Sequence, residues 1–152
     1  MLICVISDTH GLLRPEAVEA LRDSELIVHA GDVGDPEILE RLRDIAPTMA
    51  VRGNVDTQPW ARTLPLTEVV QAGHLHLYVL HDLGTLDLDP KAAGFAAVIS
   101  GHSHKPVAET RDGVLYLNPG SAGRRRFSLP ICLARLRVTG DHLDYEFINL
   151  DI

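Results

Sequence analysis

Seven residues with metal-binding side chains follow short apolar runs in the first two thirds of this chain. They are Asp8, His10, Asp32, Asn54, His81, His102 and His104. Carboxylates, imidazoles and an amide oxygen without any thiolate form a ligand set of hard to borderline character, which suits Mn, Fe, Co, Ni, Zn or Mg. Strand-terminating turns do not explain the pattern, because turns have no need of histidine at four of these positions.

This set is too large for one catalytic ion, since such an ion keeps coordination positions open for water and substrate. It divides naturally between two ions if one carboxylate bridges them. With the carboxylates ionised, the histidines neutral and two divalent ions bound, the formal charge is about +2. A pocket of this charge attracts anions. The ligand set therefore predicts a dinuclear metal centre that acts on a phosphate ester.

The elements that must hold these ligands are short runs rich in Val, Ile and Leu, which are typical of strands buried on both faces. In open α/β sheets, ligands bind outside the carboxyl ends of the strands. The five runs that precede the candidate ligands are residues 2–6, 26–30, 49–51, 75–80 and 96–99. One chemical centre can therefore collect side chains from five strand ends.

Helix start signals lie between the first strands. Asp35-Pro36 supplies an N-cap and a proline at the first helical position, and an apolar face of helical period follows. Pro15 begins another short helix, and a weaker one is predicted at residues 89–94. The first half of the chain is thus predicted to form two βα units followed by a third strand.

The second half changes to hairpins with glycine-containing turns. The paired runs are 66–71 with 74–80, 107–110 with 114–117, and 131–138 with 142–150. Leu143, Tyr145 and Phe147 alternate with polar residues, which predicts one buried and one solvated face. Together the halves predict an α/β fold of two packed, mostly mixed sheets with outer helices, in a single domain of residues 1–152.

Composition excludes several classes of protein. The net charge of −7 and a pI near 5.5 argue against a general nucleic-acid footprint, which needs a basic stripe. No apolar run approaches the roughly 20 residues that cross a membrane. The N-terminus begins directly in a strand without a secretory signal, and Cys4 and Cys132 lie in apolar runs as expected of buried reduced thiols. A cytoplasmic protein without membrane association is predicted.

The ordered motifs resemble those of the calcineurin-like metallophosphoesterases. They are Asp8-x-His10, Gly31-Asp32, Gly53-Asn54, His81 and Gly101-His102-x-His104. The small size and the later Asn118-Pro119-Gly120-Ser121 are most similar to the small, capless phosphodiesterase branch of bacteria and archaea, across essentially the whole chain. The resemblance implies a four-layer α/β/β/α sandwich. It also implies metal-assisted hydrolysis by a metal-activated water, without a covalent enzyme intermediate.

The resemblance further implies a role for each ligand. One ion would be held by Asp8, His10, Asp32 and His104. The other would be held by Asp32, Asn54, His81 and His102, so that Asp32 is the bridge. Asp32, Asn54 and His81 are expected to act most directly in catalysis. Mn²⁺ is the expected cofactor, with Fe, Ni, Co, Zn and Mg as alternatives because these ions share ligand preferences.

Two positions depart from the family pattern. Many relatives have histidine directly after Gly-Asn, where it helps to protonate the leaving group, whereas this chain has Val55. A general acid commonly contributes about 10² to 10⁴ in rate, so its loss favours diesters over monoesters unless another group donates the proton. Asp56 is a candidate donor, or it orients a neighbouring ligand. Asp82, where relatives often have glycine, and Arg126 are candidates for supporting a ligand or contacting the substrate phosphate.

The leading hypothesis is therefore a divalent-metal-dependent phosphodiesterase that acts on a small phosphate ester. The alternatives are a phosphomonoesterase or nuclease that uses the same site, and a protein-interaction scaffold that retains the fold, as a retromer subunit of similar fold does. Seven intact ligand positions favour the enzyme over the scaffold. The missing histidine weakens the monoesterase, and the acidic charge weakens the nuclease. A homodimer is expected from the resemblance alone.

Overall fold

The computed structural model describes residues 1–150, which form ten strands and two α-helices. The helices are α1 (Pro15–Ala20) and α2 (Pro36–Arg43). The strands are β1 (Leu2–Ile6), β2 (Leu26–His29), β3 (Thr48–Ala50), β4 (Thr67–Ala72), β5 (Leu75–Leu80), β6 (Ala97–Ile99), β7 (Pro106–Arg111), β8 (Val114–Pro119), β9 (Cys132–Thr139) and β10 (His142–Asn149). Two 3₁₀ helices cover Pro59–Thr63 and Leu83–Thr85.

The first sheet has the strand order β10-β9-β1-β2-β3. Its strands β1, β2 and β3 are parallel, whereas β9 and β10 join them in antiparallel pairing. Ile6 pairs with His29 and His29 with Ala50, so the three parallel strands end at the same level. Their carboxyl ends therefore form one edge of the sheet, from which the loops bearing the first ligands emerge.

The second sheet has the order β4-β5-β6-β8-β7, with parallel pairing in the centre and antiparallel strands at both edges. The inner faces of the two sheets enclose a common apolar core that includes Ile3, Val5, Leu77, Ile99 and Leu136. Each of these side chains is 1% exposed or less. Burial of this kind contributes about 1.5 to 3 kcal/mol per large aliphatic side chain. The α/β fold with two packed mixed sheets is thus confirmed.

The two outer layers differ in content. Over the first sheet, Ala17 of α1 and Leu39 and Leu42 of α2 pack against Ile6 and Ile27. Over the second sheet, the outer layer consists of the segment 82–95 rather than an α-helix, and its apolar side chains pack against a small cluster on β5, β6 and β8. The outer helices are therefore concentrated on one side of the molecule.

The helix start signals had different outcomes. Asp35 caps α2 by accepting a hydrogen bond from the backbone N–H of Glu37 at 2.9 Å, as its sequence predicts. The helix predicted at residues 89–94 is instead a single turn. Asp89 accepts from the N–H groups of Lys91 and Ala92, but the chain turns at Gly94, where φ is +83°. Asp89 thus caps one turn, but no apolar face follows it that could stabilise a longer helix by packing.

Strand β10 corrects another expectation. Tyr145 is 47% exposed and Phe147 is 37% exposed, so the face predicted to be buried lies largely open to solvent. The reason is topological: β10 is the edge strand of its sheet, and the other sheet does not cover its aromatic side chains. Within residues 1–150, no helix is both long enough and apolar enough to cross a membrane.

Candidate metal centre

The predicted ligands come together in two groups at the common edge of the sheets. Asp8, His10 and His104 form one group, and within it the ligand atoms all lie within 4.8 Å of one another. The second group, under the same criterion, is Asp32, His81 and His102. The assignment of each group to one metal ion stays a prediction from the family resemblance.

Asp32 lies between the two groups. Its Oδ2 atom is 3.2 Å from His81 Nε2 in one group and 3.5 Å from His10 Nε2 in the other. Asn54 completes the second group, because its Oδ1 atom is 3.0 Å from His81 Nε2 and 3.2 Å from His102 Nδ1. All seven predicted side chains thus converge, with the Asp32 carboxylate at the centre.

An unusual backbone conformation places these ligands. Five of the seven have positive φ angles in the left-handed region, at Asp8 (56°), His10 (47°), Asp32 (56°), His102 (71°) and His104 (63°). For residues with a side chain this conformation costs about 1 to 2 kcal/mol each. It persists because tertiary hydrogen bonds hold the loops, and it turns the chain sharply enough to direct consecutive ligands into one small volume.

Backbone hydrogen bonds between loops provide that restraint. The N–H of Asp8 donates to Gly31 O at 3.0 Å, and the N–H of His10 donates to Asp32 O at 2.9 Å. At the end of the second sheet, Gly101 N donates to His81 O at 2.9 Å and joins the loops that follow β5 and β6. A side chain at Gly53 would overlap Asp32, so this glycine is required by the close approach of its loop to the central carboxylate.

The buried polar atoms fit a bound cation. Among the described residues, Asp8 Oδ1, His10 Nε2 and His104 Nδ1 are buried without a hydrogen-bond partner, although such atoms are nearly always paired. His81 donates from Nδ1 to Ala30 O at 2.7 Å, so Nε2 is the nitrogen that can hold either a proton or a metal ion, and it lies 3.2 Å from Asp32 Oδ2 and 3.0 Å from Asn54 Oδ1. Asp8 Oδ1 itself lies 3.8 Å from His10 Nε2 and 3.5 Å from His104 Nε2, and a divalent metal ion stabilises a carboxylate oxygen that is gathered with imidazole nitrogens in this way.

The charges of the second group also favour a cation. Burial alone would raise the pKa of Asp32, but hydrogen bonds from His81 and from the N–H of Val55 lower it to about 2. Burial alone would lower the pKa of His81, but Asp32 and Ala30 O together raise it above its usual value. An ionised carboxylate thus stabilises a positive charge beside it, whether this is a proton or a metal ion.

His29 organises the loops from beneath, and the sequence had indicated only a structural role for it. Its Nδ1 accepts from Gly31 N at 3.1 Å, so the proton resides on Nε2, which lies 3.0 Å from Thr9 Oγ1. Thr9 Oγ1 in turn donates to Val33 O at 2.8 Å. The imidazole therefore connects the loop that carries Asp8 with the loop that carries Asp32.

His29 should make the stability of the protein depend on pH. Its imidazole is fully buried, and this burial lowers its pKa from 6.5 to about 4. In the unfolded chain the imidazole becomes protonated below pH 6.5, whereas in the folded protein it stays neutral down to about pH 4. The free energy of unfolding therefore falls by about 3 kcal/mol as the pH is lowered from 6.5 to 4. Denaturant titrations at several pH values should show that His29→Gln removes this part of the slope.

Exposed His142 provides the control for this experiment. His142→Gln removes an exposed imidazole on β10 and should leave the pH dependence of unfolding as in the unaltered protein. Equal slopes for the His29→Gln variant and the unaltered protein would contradict a buried neutral His29.

The three supporting candidates occupy different places. Asp56 is buried, and its carboxylate accepts from the N–H groups of Val33, Gly34 and Gly53 at 3.2, 3.0 and 2.9 Å, which corresponds to the orienting alternative. Asp82 caps the 3₁₀ helix by accepting from Gly84 N. Arg126 is exposed, and its positive charge helps to lower the pKa of His104, although burial is the larger cause.

Arg52 is a residue of the site that the sequence did not single out. It lines a cavity of about 420 Å³, named here the Arg52 cavity, whose wall also includes Asn54, His81 and His102. Arg52 therefore lies in the wall of a cavity that borders the second ligand group, and two carboxylates lie in the same wall. The sequence feature that could have indicated Arg52 is its position at the end of a strand, between the run 49–51 and the Gly53-Asn54 motif.

Comparisons with known proteins agree with this geometry. Residues 1–141 match the calcineurin-like phosphoesterase superfamily domain. The chain is 39% identical to a Methanothermobacter thermautotrophicus protein named "Probable metallophosphoesterase", across 98% of this chain and 92% of that protein. It is 28% identical to phosphodiesterase YfcE of Escherichia coli, across 80% of this chain and 79% of that protein.

A solved structure gives the same result for the fold. Vps29 of Chaetomium thermophilum superposes with a TM-score of 0.81 at 19% identity, covering 97% of this chain and 95% of Vps29. At this identity the likeness concerns the fold alone, whereas the family match rests on sequence. The family predicted from the motifs is confirmed, and the chain belongs to the calcineurin-like phosphoesterase superfamily, as a metal-dependent phosphoester hydrolase.

Proposed function

We propose that this protein is a phosphodiesterase with a dinuclear centre formed by Asp8, His10, Asp32, Asn54, His81, His102 and His104. The observation that carries the proposal is the convergence of these side chains on Asp32, beside a position at which Val55 replaces a proton donor. The relatives named phosphodiesterase support the same substrate class.

Two divalent ions bound by these residues would lower the pKa of water and stabilise negative charge on the phosphoryl oxygens. The chain contributes orientation. Asp32 Oδ1 accepts from Val55 N at 3.0 Å, which fixes the plane of the carboxylate and leaves Oδ2 towards His10 and His81. Ala30 O fixes the tautomer of His81 in the same way.

Proton supply to the leaving group decides between diesters and monoesters. The Val55 side chain is 42% exposed and carries no proton that it could donate. Neighbouring Asp56 does not replace it, because both of its oxygens accept hydrogen bonds from buried backbone N–H groups. This centre therefore favours esters whose leaving group departs without protonation, and we assign phosphodiesters with acidic leaving groups.

Arg52 and the ligands together define where the substrate lies. Arg52 lies in the wall of the Arg52 cavity, and a guanidinium can bind two oxygens of a singly charged phosphodiester side by side. We assign the phosphoryl group to the boundary between this cavity and the second ligand group.

Protein loaded with Mn²⁺ should hydrolyse bis(p-nitrophenyl) phosphate with a higher kcat/KM than p-nitrophenyl phosphate. The two substrates release the same phenolate, so the ratio of their rates measures diester preference directly. Removal of the metal by a chelator should abolish both reactions, and returning Mn²⁺ should restore them. Equal or reversed rates would remove the diesterase assignment while leaving the family intact.

Three finer assignments belong to the proposal. Mn²⁺ is supported by a ligand set of carboxylates, imidazoles and an amide without thiolate. A cytoplasmic location is supported by two cysteines that are buried and free. The homodimer stays a prediction from the family resemblance, and light scattering of the purified protein measures it.

A further inference from the structure

A second cavity, of about 190 Å³, borders the metal centre and shares His102 and Asp82 with the Arg52 cavity. It lies against the hairpin of β7 and β8, so it is named here the hairpin cavity. Val107 and Tyr116 line it on the hairpin side, and Leu83 lines it from the outer layer. The hairpin cavity therefore begins at a candidate ligand and ends in apolar side chains.

The strand register explains this apolar wall. Val107 pairs with Asn118 and Glu109 pairs with Tyr116, so these four side chains share one face of the hairpin. Asn118 Nδ2 donates to Gly101 O at 2.8 Å, which holds the His102 loop against the hairpin. This hydrogen bond therefore fixes the position of His102 relative to the apolar residues of the hairpin.

The charges around the hairpin cavity exclude a second anionic group. Arg111 Nη2 lies 2.9 Å from Glu109 Oε2, and its guanidinium lies 4.8 Å from the centre of the Tyr116 ring, so the positive charge at the rim is already paired. The remaining charge is the carboxylate of Asp82. An anion would be repelled there.

We propose that the hairpin cavity is a substrate subsite that holds one uncharged aromatic ester group of the phosphodiester. The volume supports this assignment, because an apolar protein cavity of about 150 Å³ suffices to bind benzene. The position supports it as well, since His102 belongs both to the cavity wall and to the second ligand group. The inference rests on the proposed function, in that the ring enters as part of a phosphate diester.

Two stable diesters test the subsite without requiring turnover. Diphenyl phosphate and dimethyl phosphate carry the same charge and differ in the group offered to the cavity. Calorimetric titration of the Mn²⁺-loaded protein should give a dissociation constant about tenfold lower for diphenyl phosphate, as expected from burying one face of a ring. Equal affinities, including undetectable binding of both diesters, would overturn the proposal.

A variant identifies the cavity as the place of binding. Val107 is 43% exposed on the cavity wall, so Val107→Phe fills the space without disturbing the core, and the preference for diphenyl phosphate should fall to about one. Thr110→Phe is the matched control, because Thr110 is exposed on the opposite face of the same strand and should retain the preference. Retention of the preference by Val107→Phe would place the ring elsewhere and refute the subsite.

The outcomes separate the subsite from the proposed reaction. Hydrolysis of bis(p-nitrophenyl) phosphate by the same preparations tests the phosphodiesterase assignment. If the binding preference responds to Val107→Phe but no diester is hydrolysed, the subsite stands and the proposed reaction fails. If diesters are hydrolysed while the two probes bind equally, the reaction stands and the subsite fails.

Discussion

Replacing Asp32 by asparagine is expected to lower kcat/KM towards bis(p-nitrophenyl) phosphate by about 10³-fold or more and to weaken binding of both metal ions. The substitution retains an acceptor for Val55 N, and asparagine tolerates the positive φ of 56° at this position. The substitution removes the negative charge of the Asp32 carboxylate, which lies between His10 and His81. Loss of several kcal/mol of charge stabilisation corresponds to this fall in rate.

Steady-state kinetics together with elemental analysis of desalted protein measure the two effects of Asp32→Asn. The matched control is Asp144→Asn, an exposed carboxylate on β10, which should retain activity and metal content. A protein with Asp32→Asn that kept two tightly bound ions would refute the bridging role, even if its activity fell.

The second large effect is expected at Asp56, on stability rather than on chemistry alone. Asp56→Asn leaves one acceptor oxygen for three backbone N–H donors and places an amide donor against them. Hydrogen bonds to a buried charged group contribute about 1.5 to 3 kcal/mol each, so we expect a loss of about 3 kcal/mol. For a protein of this size, the melting temperature should fall by about 6 to 12 °C.

Thermal unfolding with and without metal measures this effect, with exposed Asp23→Asn as a control that should melt as the unaltered protein does. The experiment also distinguishes the two roles considered for Asp56. A proton donor would lose activity at an unchanged melting temperature. An orienting carboxylate would lower the melting temperature, because the loops after β2 and β3 are no longer held together.

The scaffold alternative shows why the fold alone does not decide function. Vps29 shares the architecture at 19% identity, and likeness of this kind extends to the fold only. The match of residues 1–141 to the phosphoesterase family and the convergence of seven ligand side chains together favour the enzyme. The sheets form the shared architecture, and the candidate ligands lie on the loops at their common edge.

Prediction from sequence succeeded where a signal is local. Asp35-Pro36 correctly marked the start of α2, and the apolar runs marked the central strands to within a residue or two. It failed where the partner is distant. The aromatic residues of β10 alternate as in a half-buried strand, yet Tyr145 and Phe147 are largely exposed because β10 lies at an edge. Alternation shows that a strand has two faces and does not show whether another layer covers either of them.

Arg52 and His29 show the same limitation at the site. Neither belongs to a motif of metal-binding spacing, and the chemistry of each depends on neighbours that are far along the chain. Arg52 matters because it lines a cavity with His81 and His102, and His29 because it lies beneath Thr9. Such roles become visible only when the positions of the loops are known.

The sequence by itself determined the ligand types, their order at strand ends and hence the family, because each is a property of short segments. Only the tertiary structure decided how the ligands meet. Five of them adopt left-handed backbone conformations that the isolated chain disfavours, and hydrogen bonds between loops such as His10 N to Asp32 O maintain them. The same packing occupied both oxygens of Asp56, placed Arg52 in the wall of a cavity and left the Val55 side chain 42% exposed.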